Sequence, residues 1–202
     1  MIAIVDYDAG NINSVEKAVR HLGFECVTTR DKDEIANASS LILPGVGAFG
    51  DAMSKLSGYG LDSVIKDYIS SGRPFLGICL GLQLLYEESE ESPGVRGLGI
   101  LKGSIKKIPK KDGLKVPNIG WNSLEFPKKG RLFEGLNEGT FVYFVHSYYL
   151  DAADKDTVKA AIEYGTRIDA SVEKDNVFAC QFHPEKSSSE GLKILRNFLE
   201  IG

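Results

Sequence analysis

Strand-like runs and helix-like patterns alternate along the first part of the chain, and this alternation constrains the fold more than any other feature. Strand-like runs occupy residues 2–5, 25–29 and 41–43, and helix-like patterns occupy residues 12–22 and 31–38. Consecutive strands joined by helices are the signature of a parallel sheet with helices on both faces. The sequence therefore predicts an α/β fold with a mostly parallel central sheet.

From residue 94 to about residue 164 the pattern changes to that of antiparallel strands. Apolar and polar residues alternate over 100–108, 120–126, 141–150 and 157–164, with turn residues between these segments. This predicts a β-rich extension that either continues the central sheet or forms a smaller sheet beside it. The chain of 202 residues has no internal repeat and no linker, so we expect a single domain over residues 1–202.

Capping signals mark the starts of two helices. In the first helix, Asn13 is followed three residues later by Glu16. Before the last helix, which follows a strand-like run at 177–182, Ser187 and Glu190 have the same spacing. This is the spacing of a capping box, so we predict that the side chains of Asn13 and Ser187 cap these helices.

The segment 74–83 combines an apolar run, a Gly-x-Cys-x-Gly pentapeptide and a helix-like continuation. Cys79 lies between Gly77 and Gly81, which is the cysteine version of the nucleophile elbow. Glycines remove the Cβ atoms that would collide where the chain reverses, and a helix N-terminus favours the reactive thiolate. The backbone N–H of Leu80 would then stabilise an oxyanion. The alternative for this pentapeptide alone is a buried strand end with a small hydrophobic cysteine.

Two further features are expected to lie near Cys79. The glycine-rich stretch 44–50 directly follows a strand-like run, so its backbone near Val46 or Gly47 is predicted to supply a second oxyanion donor. A tight turn without this role is the alternative. Gln83 lies one helical turn after Cys79, so its amide is predicted to point to the same end of the sheet. A surface glutamine is the alternative there.

Among the three histidines, His183 has a carboxylate partner two residues away. Pro184 biases His183 toward extended backbone, in which side chains two residues apart point the same way. We therefore predict that Glu185 orients the His183 ring and stabilises its imidazolium form. His146 is interpreted as a wall of the binding site and His21 as a surface residue. Elbow, glycine-rich loop and His-x-Glu together indicate a cysteine amidohydrolase that works through a thioester.

Composition argues against several other classes of protein. The net charge of -4 gives no basic footprint, so a nucleic-acid partner is not expected. Cys26 and Cys180 are predicted core residues, and the cysteine spacing fits no metal site, so neither a metal nor another cofactor is expected. Without a signal peptide or a long apolar run, we expect a cytoplasmic protein with no membrane partner. The acidic run 87–91 is interpreted as a solvated loop.

The segments 77–83 and 183–185 resemble the class I, or triad, glutamine amidotransferases, which implies a flavodoxin-like fold. Further segments resemble the glutaminase subunits of imidazole glycerol phosphate synthase, a family of histidine biosynthesis. These segments are 5–11, 44–49, 120–122, 143–148 and 183–187. The resemblance covers the chain from end to end.

The resemblance implies that Cys79 attacks the carboxamide of glutamine, that His183 shuttles the proton and that Glu185 orients His183. The other implied substrate contacts are Val46, Gly47 and Leu80 for the oxyanion hole and Gln83, Ser147 and Tyr148 for glutamine binding.

The resemblance also implies a heterodimer with a cyclase subunit, a (βα)8 barrel. The cyclase would combine the ammonia with a phosphoribulosyl carboxamide nucleotide to give imidazole glycerol phosphate and an aminoimidazole carboxamide ribotide. The positions implied to face this partner are Pro117, Asn118, Trp121, Asn122 and Lys186. Two positions depart from the family pattern: Asn118, where the family usually has His, and Asp8, where Gly is common.

Two alternative functions remain open at this point. One is a different triad glutaminase, such as the one serving pyridoxal phosphate synthesis, or a γ-glutamyl hydrolase. The segments 120–122 and 143–148 argue against it, because they are not expected there in this form. The other is an inactive binding module that keeps the fold. The intact set of Cys79, His183 and Glu185 argues against that.

Overall fold

The computed structural model describes residues 1–201, which form a central sheet, two small sheets and helices around them. The strands are β1 (Ile2–Val5), β2 (Cys26–Thr29), β3 (Ser40–Gly45), β4 (Phe75–Cys79), β5 (Glu88–Ser89), β6 (Gly103–Lys107), β7 (Asn118–Ser123), β8 (Phe141–His146), β9 (Tyr148–Ala152), β10 (Val158–Glu163), β11 (Arg167–Lys174) and β12 (Val177–Cys180). The helices are α1 (Ile12–His21), α2 (Lys32–Asn37), α3 (Phe49–Gly58), α4 (Leu61–Ser70), α5 (Leu80–Leu84) and α6 (Ser188–Leu199). Short 3₁₀ turns occupy Arg131–Phe133, Lys155–Thr157 and Pro184–Lys186.

The central sheet has seven strands in the order β10-β11-β12-β4-β3-β1-β2. The neighbours among β12, β4, β3, β1 and β2 are all parallel, whereas β10 and β11 add an antiparallel edge. The two small sheets have the orders β5-β6-β9 and β7-β8. The predicted mostly parallel sheet with an antiparallel extension is therefore confirmed, and the extension takes both predicted forms.

Helices cover both faces of the central sheet. One apolar core joins the buried sides of α3 and α4 to residues such as Val5, Leu43 and Phe75 of the sheet. The other joins α1 and α6 to residues such as Ile4 and Ile78. Since neighbouring residues of one strand contribute to opposite cores, the strands are buried on both sides, as parallel strands of this class are. Cys26 and Cys180 are buried, as predicted.

Three elements were not predicted from the sequence, namely α3, β5 and β11, and one predicted strand was wrong in its extent. The strand-like segment 141–150 is broken at Ser147 into β8, which pairs with β7, and β9, which pairs with β6. The backbone N–H of Ile108 donates to the carbonyl of Ser147 at 3.0 Å, where the chain changes partner. The apolar alternation continues through this change, so it gives no sign of the break.

Of the two predicted helix caps, the one at Asn13 was wrong, and the one at Ser187 was right in position but not in its hydrogen bond. The N-cap of α1 is Asn11, in the left-handed region with a φ of 73°, and Asn13 lies inside the helix. Ser187 is the N-cap of α6, but its side chain makes no capping hydrogen bond. By contrast, Asp31 caps α2 by accepting from the backbone N–H groups of Asp33 and Glu34, both at 2.9 Å.

The parallel strands β3, β4 and β12 are neighbours, so their carboxyl ends meet at one edge of the sheet. The glycine-rich loop after β3, the Gly-x-Cys-x-Gly segment at the end of β4 and His183 just after β12 are thereby brought together. In open α/β sheets this edge is where ligands bind. Over residues 1–201, no helix is long and apolar enough to cross a membrane.

Candidate active site

Cys79 lies at a sharp junction between β4 and α5. Its backbone has a φ of 55° and a ψ of -108°. Residues other than glycine rarely adopt this conformation, and they do so where the surrounding structure enforces it. A Cβ atom on Gly77 would lie 2.7 Å from the carbonyl oxygen of Gly81. A Cβ atom on Gly81 would collide with the carbonyl oxygen of Leu43. Both glycines are therefore required for the strand to turn into the helix at Cys79.

A cavity of about 320 Å³ opens above Cys79. It is lined by Val46, Gly47, Cys79, Leu80, Gln83, Glu91, Pro117, Val145, His146, Ser147 and Tyr148. The predicted nucleophile, oxyanion residues and glutamine-binding residues thus share one cavity. Its volume suits a single small molecule such as an amino acid.

His183 and Glu185 are buried behind this cavity, and neither side chain is exposed to solvent. Oε1 of Glu185 lies 2.8 Å from Nδ1 of His183, so Nδ1 carries the proton and Nε2 is left to accept one. Nε2 is buried and has no hydrogen-bond partner. His183 has the extended backbone predicted before Pro184, with a φ of -101° and a ψ of 96°, but the chain does not stay extended: Glu185 lies in the 3₁₀ turn Pro184–Lys186.

The surroundings of His183 favour its charged form. Burial lowers the pKa of the ring, but interactions with the side chains of Cys79 and Glu185 outweigh burial and raise the pKa to about 9. A ring with this pKa can take the proton of the Cys79 thiol and keep it as imidazolium near neutral pH. The arrangement is thus suited to making a thiolate.

Two side chains that were not among the predicted site residues hold His183 and Glu185 in place. Nδ2 of Asn11 donates to Oε1 of Glu185 at 2.6 Å, and it lies 3.4 Å from Nδ1 of His183. Oγ of Ser187 donates to the carbonyl of His183 at 2.6 Å and accepts from the backbone N–H of Tyr143 at 2.9 Å. The Asn11 and Ser187 side chains are therefore used by the site, which explains why neither caps its helix.

Gln83 lines the cavity, but both hydrogens of its amide are used within the protein. Nε2 donates to the carbonyl of Tyr148 at 3.1 Å and to Oε1 of Gln181 at 2.9 Å. Nε2 of Gln181 in turn lies 3.6 Å from Sγ of Cys79. Gln181 was missed by sequence reasoning, although its place two residues before His183 could have suggested it.

His146 forms part of the cavity wall, as expected, and its ring is neutral. Burial lowers the pKa of His146 to about 4. Nδ1 donates to the carbonyl of Tyr148 at 2.9 Å, and Nε2 accepts from Nδ2 of Asn118 at 3.1 Å. Asn118 is only 1% exposed. Its predicted place facing a partner is therefore corrected: the side chain holds His146 from inside the protein.

Glu91 was interpreted from the sequence as part of a solvated loop, and this was wrong. It lines the cavity, and its Oε2 accepts from the backbone N–H of Phe49 at 2.8 Å. The run of acidic residues around it concealed this difference. The carboxylate of Glu91 is the only acidic group among the residues that line the cavity.

Of the other positions predicted to face a partner, Trp121 lies on the outer face of β7 and β8, and Pro117 and Lys186 lie near it. Asn122 points to the opposite face, where its Nδ2 donates to Oδ1 of Asn118 at 3.2 Å, so its predicted place is corrected as well. Pro117 and Lys186 are exposed, Asn122 is partly buried, and Trp121 is 49% exposed. Ile119 and Phe141 are exposed on the same two strands. Pro117 also lines the cavity, so this apolar face and the cavity share a wall.

A family model of class-I glutamine amidotransferases matches residues 3–201 of the chain. The chain belongs to the class-I glutamine amidotransferase family. Within residues 1–201 there is no group of three or more His, Cys, Asp or Glu side chains that could hold a metal ion.

This glutamine amidotransferase is similar over its whole length to proteins named imidazole glycerol phosphate synthase subunit HisH. The protein of that name from Caldanaerobacter subterraneus subsp. tengcongensis is 52% identical over 201 residues, which are 100% of this chain and 98% of the relative. The protein of that name from Aquifex aeolicus is 53% identical over 196 residues, covering 96% and 94%.

Solved structures show the same fold at lower sequence identity. A crystal structure of a glutamine amidotransferase superposes with a TM-score of 0.79 at 22% identity, covering 100% of this chain and 98% of that one. A chain in the structure of PurLQS from Thermotoga maritima gives a TM-score of 0.74 at 22% identity, covering 99% and 97%. The α/β fold of class-I glutamine amidotransferases is therefore confirmed.

Proposed function

We propose that this chain is the glutaminase subunit of an imidazole glycerol phosphate synthase. It would hydrolyse glutamine to glutamate and ammonia with Cys79, His183 and Glu185, and pass the ammonia to a cyclase subunit. The observation that carries the chemistry is the strained Cys79 at the floor of a cavity, backed by the buried His183–Glu185 pair. The HisH relatives, which are 52% and 53% identical to this chain, are the reason for proposing this particular synthase.

The reaction begins when the Cys79 proton moves to Nε2 of His183 and the thiolate attacks the carboxamide carbon of glutamine. The oxygen of that carboxamide gains negative charge, and the backbone N–H groups near Val46, Gly47 and Leu80 are proposed to stabilise it. The imidazolium then returns its proton to the leaving nitrogen, which departs as ammonia. A thioester on Cys79 remains.

Water completes the reaction. His183, now neutral, takes a proton from water as the hydroxyl attacks the thioester carbon. The C–S bond breaks, glutamate is released with the added oxygen, and the sulfur leaves with its electron pair. Glu185 keeps the ring in the required tautomer throughout, because its Oε1 lies 2.8 Å from Nδ1.

The polar groups of the cavity suit an α-amino acid substrate. The carboxylate of Glu91 is proposed to bind the α-ammonium group, with Ser147 and Tyr148 contributing to the pocket wall. Because both Nε2 hydrogens of Gln83 are already used, Gln83 can contact the substrate only through its carbonyl oxygen.

The proposed role of Glu91 can be tested by removing its charge. We expect Glu91→Gln to raise the KM for glutamine about tenfold or more with a smaller change in kcat, in steady-state assays.

The partner is proposed to sit on the outer face of β7 and β8. Exposed Ile119, Trp121 and Phe141 form an apolar surface there, and aromatic residues are enriched in interfaces. Lys186 and Pro117 are exposed at its margin next to the site. We propose a heterodimer with a (βα)8-barrel cyclase, held on this face.

The test is glutamate release from glutamine by this chain alone, with a cyclase subunit, and with the cyclase and its nucleotide ligand. Activity that appears only in the last mixture is expected. Full activity of the chain alone would support instead a stand-alone triad glutaminase and would remove the partner from the proposal.

The role of Cys79 is tested in the same mixtures. We expect Cys79→Ala to lose several orders of magnitude of activity, because the members of such a unit act together. Cys26→Ala is the matched control, since Cys26 is also a buried cysteine but lies on β2, outside the residues that line the cavity. Equal activity of the two variants would exclude Cys79 as the nucleophile.

A further inference from the structure

The side chain of Gln181 has no part in the reaction as written above, yet it contacts the reacting atom. Gln181 follows β12 directly and is fully buried. Its Nε2 lies 3.6 Å from Sγ of Cys79, within hydrogen-bonding reach of a sulfur acceptor. A fully buried polar side chain at the nucleophile calls for a physical account.

The orientation of the Gln181 amide is determined by a chain of hydrogen bonds that begins at a backbone carbonyl. The carbonyl oxygen of Tyr148 can only accept, so Gln83 must present its Nε2 there. The second hydrogen on that Nε2 meets Gln181, which must therefore present Oε1, at 2.9 Å. This leaves the Nε2 of Gln181 facing Sγ of Cys79. The reversed amide would place two acceptors or two donors against each other.

An amide N–H at this position is suited to a sulfur that carries negative charge. Hydrogen bonds to ionised acceptors are stronger than those between neutral groups, and burial strengthens them further. Because the amide does not take up a proton near neutral pH, it does not compete with His183 for the proton of the thiol.

We propose that Gln181 stabilises the thiolate of Cys79 and fixes the position of its sulfur, with Gln83 holding the Gln181 amide in the donating orientation. The N–H serves twice: when the thiol proton has moved to Nε2 of His183, and again when the thioester C–S bond breaks and the sulfur leaves with the electron pair. The inference rests on the proposed function for the identity of the acyl group, but the thiolate itself can be measured without any substrate.

The experiment measures the rate at which iodoacetamide alkylates Cys79 as a function of pH. Alkylation at Cys79 is read by mass spectrometry of its peptide, so Cys26 and Cys180 do not interfere. Gln181→Leu removes the donor, and we expect the midpoint of the pH profile to rise by about one unit, with alkylation about tenfold slower below it. Gln181→Glu should raise the midpoint further, because a carboxylate then faces the thiolate.

A control separates this effect from loss of a buried polar group in general. Ser171 is a fully buried residue of β11, and its Oγ donates to the carbonyl of Ala179 on β12 at 2.8 Å. We expect Ser171→Ala to leave the pH profile of Cys79 unchanged, although it also removes a buried hydrogen bond next to the same strand.

A second variant keeps the inference testable if Gln181→Leu does not fold. Gln83→Leu leaves the Gln181 amide free to turn its Oε1 toward the sulfur, so the midpoint should rise here also. When both single variants fold, the double variant should shift the midpoint by less than the sum of the two shifts, because the two amides act as one chain.

An unchanged profile in Gln181→Leu, or in Gln83→Leu where that variant alone folds, would overturn the inference. The fate of the proposed function is separate. If the wild-type chain with its cyclase partner releases no glutamate, the proposed function fails, and a raised alkylation midpoint in the variants still establishes Gln181 as the thiolate donor.

Discussion

The first turn of a helix has backbone N–H groups without a partner inside the helix, and α2 differs from α1 and α6 in whether a side chain accepts from them. At α2, which is remote from the cavity, Asp31 accepts from two backbone N–H groups of the first turn. At α1 and α6, the N-cap residues Asn11 and Ser187 make no side-chain capping bond. Their polar atoms instead contact Glu185 and the backbone of His183.

The difference shows where helix capping can no longer be predicted from residue spacing, namely where the capping side chain is used by the site. A capping side chain stabilises a helix by about 1 kcal/mol. Asn11 and Ser187 give up that contribution and hold the catalytic pair instead. Stability is thus given up at two helix starts, and the geometry of the site is fixed in return. Substitutions on the two sides of this comparison should therefore change different properties.

The largest effect on stability is expected at His146, another side chain turned inward to the site. Its pKa is lowered by burial from 6.5 to about 4, so the unfolded chain binds a proton that the folded chain does not. The contribution of His146 to the free energy of unfolding is therefore fully present above pH 6.5. As the pH falls toward 4, this contribution decreases by about 3 kcal/mol. Urea denaturation at pH 7 and pH 4.5 measures this loss.

His146→Gln is the control for that measurement, because it cannot take up a proton. We expect its stability to depend less on pH between 4 and 6.5 than that of the wild type. His183 does not obscure the result. With a folded pKa of about 9, its stabilising contribution is full well below pH 6.5 and is lost as the pH rises from 6.5 toward 9. This change is the same in the wild type and in His146→Gln, so the difference between the two proteins isolates His146. Parallel curves for wild type and variant would contradict the prediction.

Ser187→Ala is expected to have the next largest effect. It removes the hydroxyl that accepts from the backbone N–H of Tyr143, and it leaves the carbonyl of His183 with the N–H of Lys186 as its remaining donor. Both stability and activity should fall, with a loss of about 2 kcal/mol in the free energy of unfolding. Ser189→Ala, an exposed position in the first turn of the same helix, is the matched control for helix propensity. Chemical denaturation and glutamate release check both parts, and a purely capping role would lower stability alone.

The smallest effects distinguish the two kinds of helix start directly. Asn11→Gly removes the amide that contacts Glu185 but suits a φ of 73°, so we expect about tenfold lower kcat with nearly unchanged stability. Asp31→Ala should lose about 1 kcal/mol of stability and no activity. Glutaminase assays and denaturation curves of the two variants test the contrast. It would be broken if Asn11→Gly lost stability and kept full activity.

Much of the fold could be predicted because it depends on local pattern. The parallel strands, α1 and α6 follow from apolar periodicity, and the elbow at Cys79 follows from two glycines at fixed spacing. The helix α4 follows in the same way from apolar residues at helical spacing over 61–69. The break at Ser147 could not be predicted, because the choice between β6 and β7 as partner depends on sheets formed by distant segments.

The candidate site divides in the same way. Cys79, His183 and Glu185 lie in short motifs whose spacing expresses their chemistry. Gln181 and Glu91 were missed because their contacts reach across 102 and 42 residues of sequence. The only local signal was the place of Gln181 two residues before His183, and Glu91 had none. Asn118 was placed on the wrong side of its strand for the same reason, since its partner His146 lies on a different strand.

The close approach of Gly81 to the carbonyl oxygen of Leu43 has a consequence for how this sequence can vary over generations. Any other amino acid at position 81 would force β3 and the elbow apart, so one substitution would disturb both the packing of the sheet edge and the placement of the nucleophile. Natural selection for a folded protein alone would then retain this glycine. Position 81 is closed to drift even in a lineage that no longer needs the enzyme, for as long as the protein is kept.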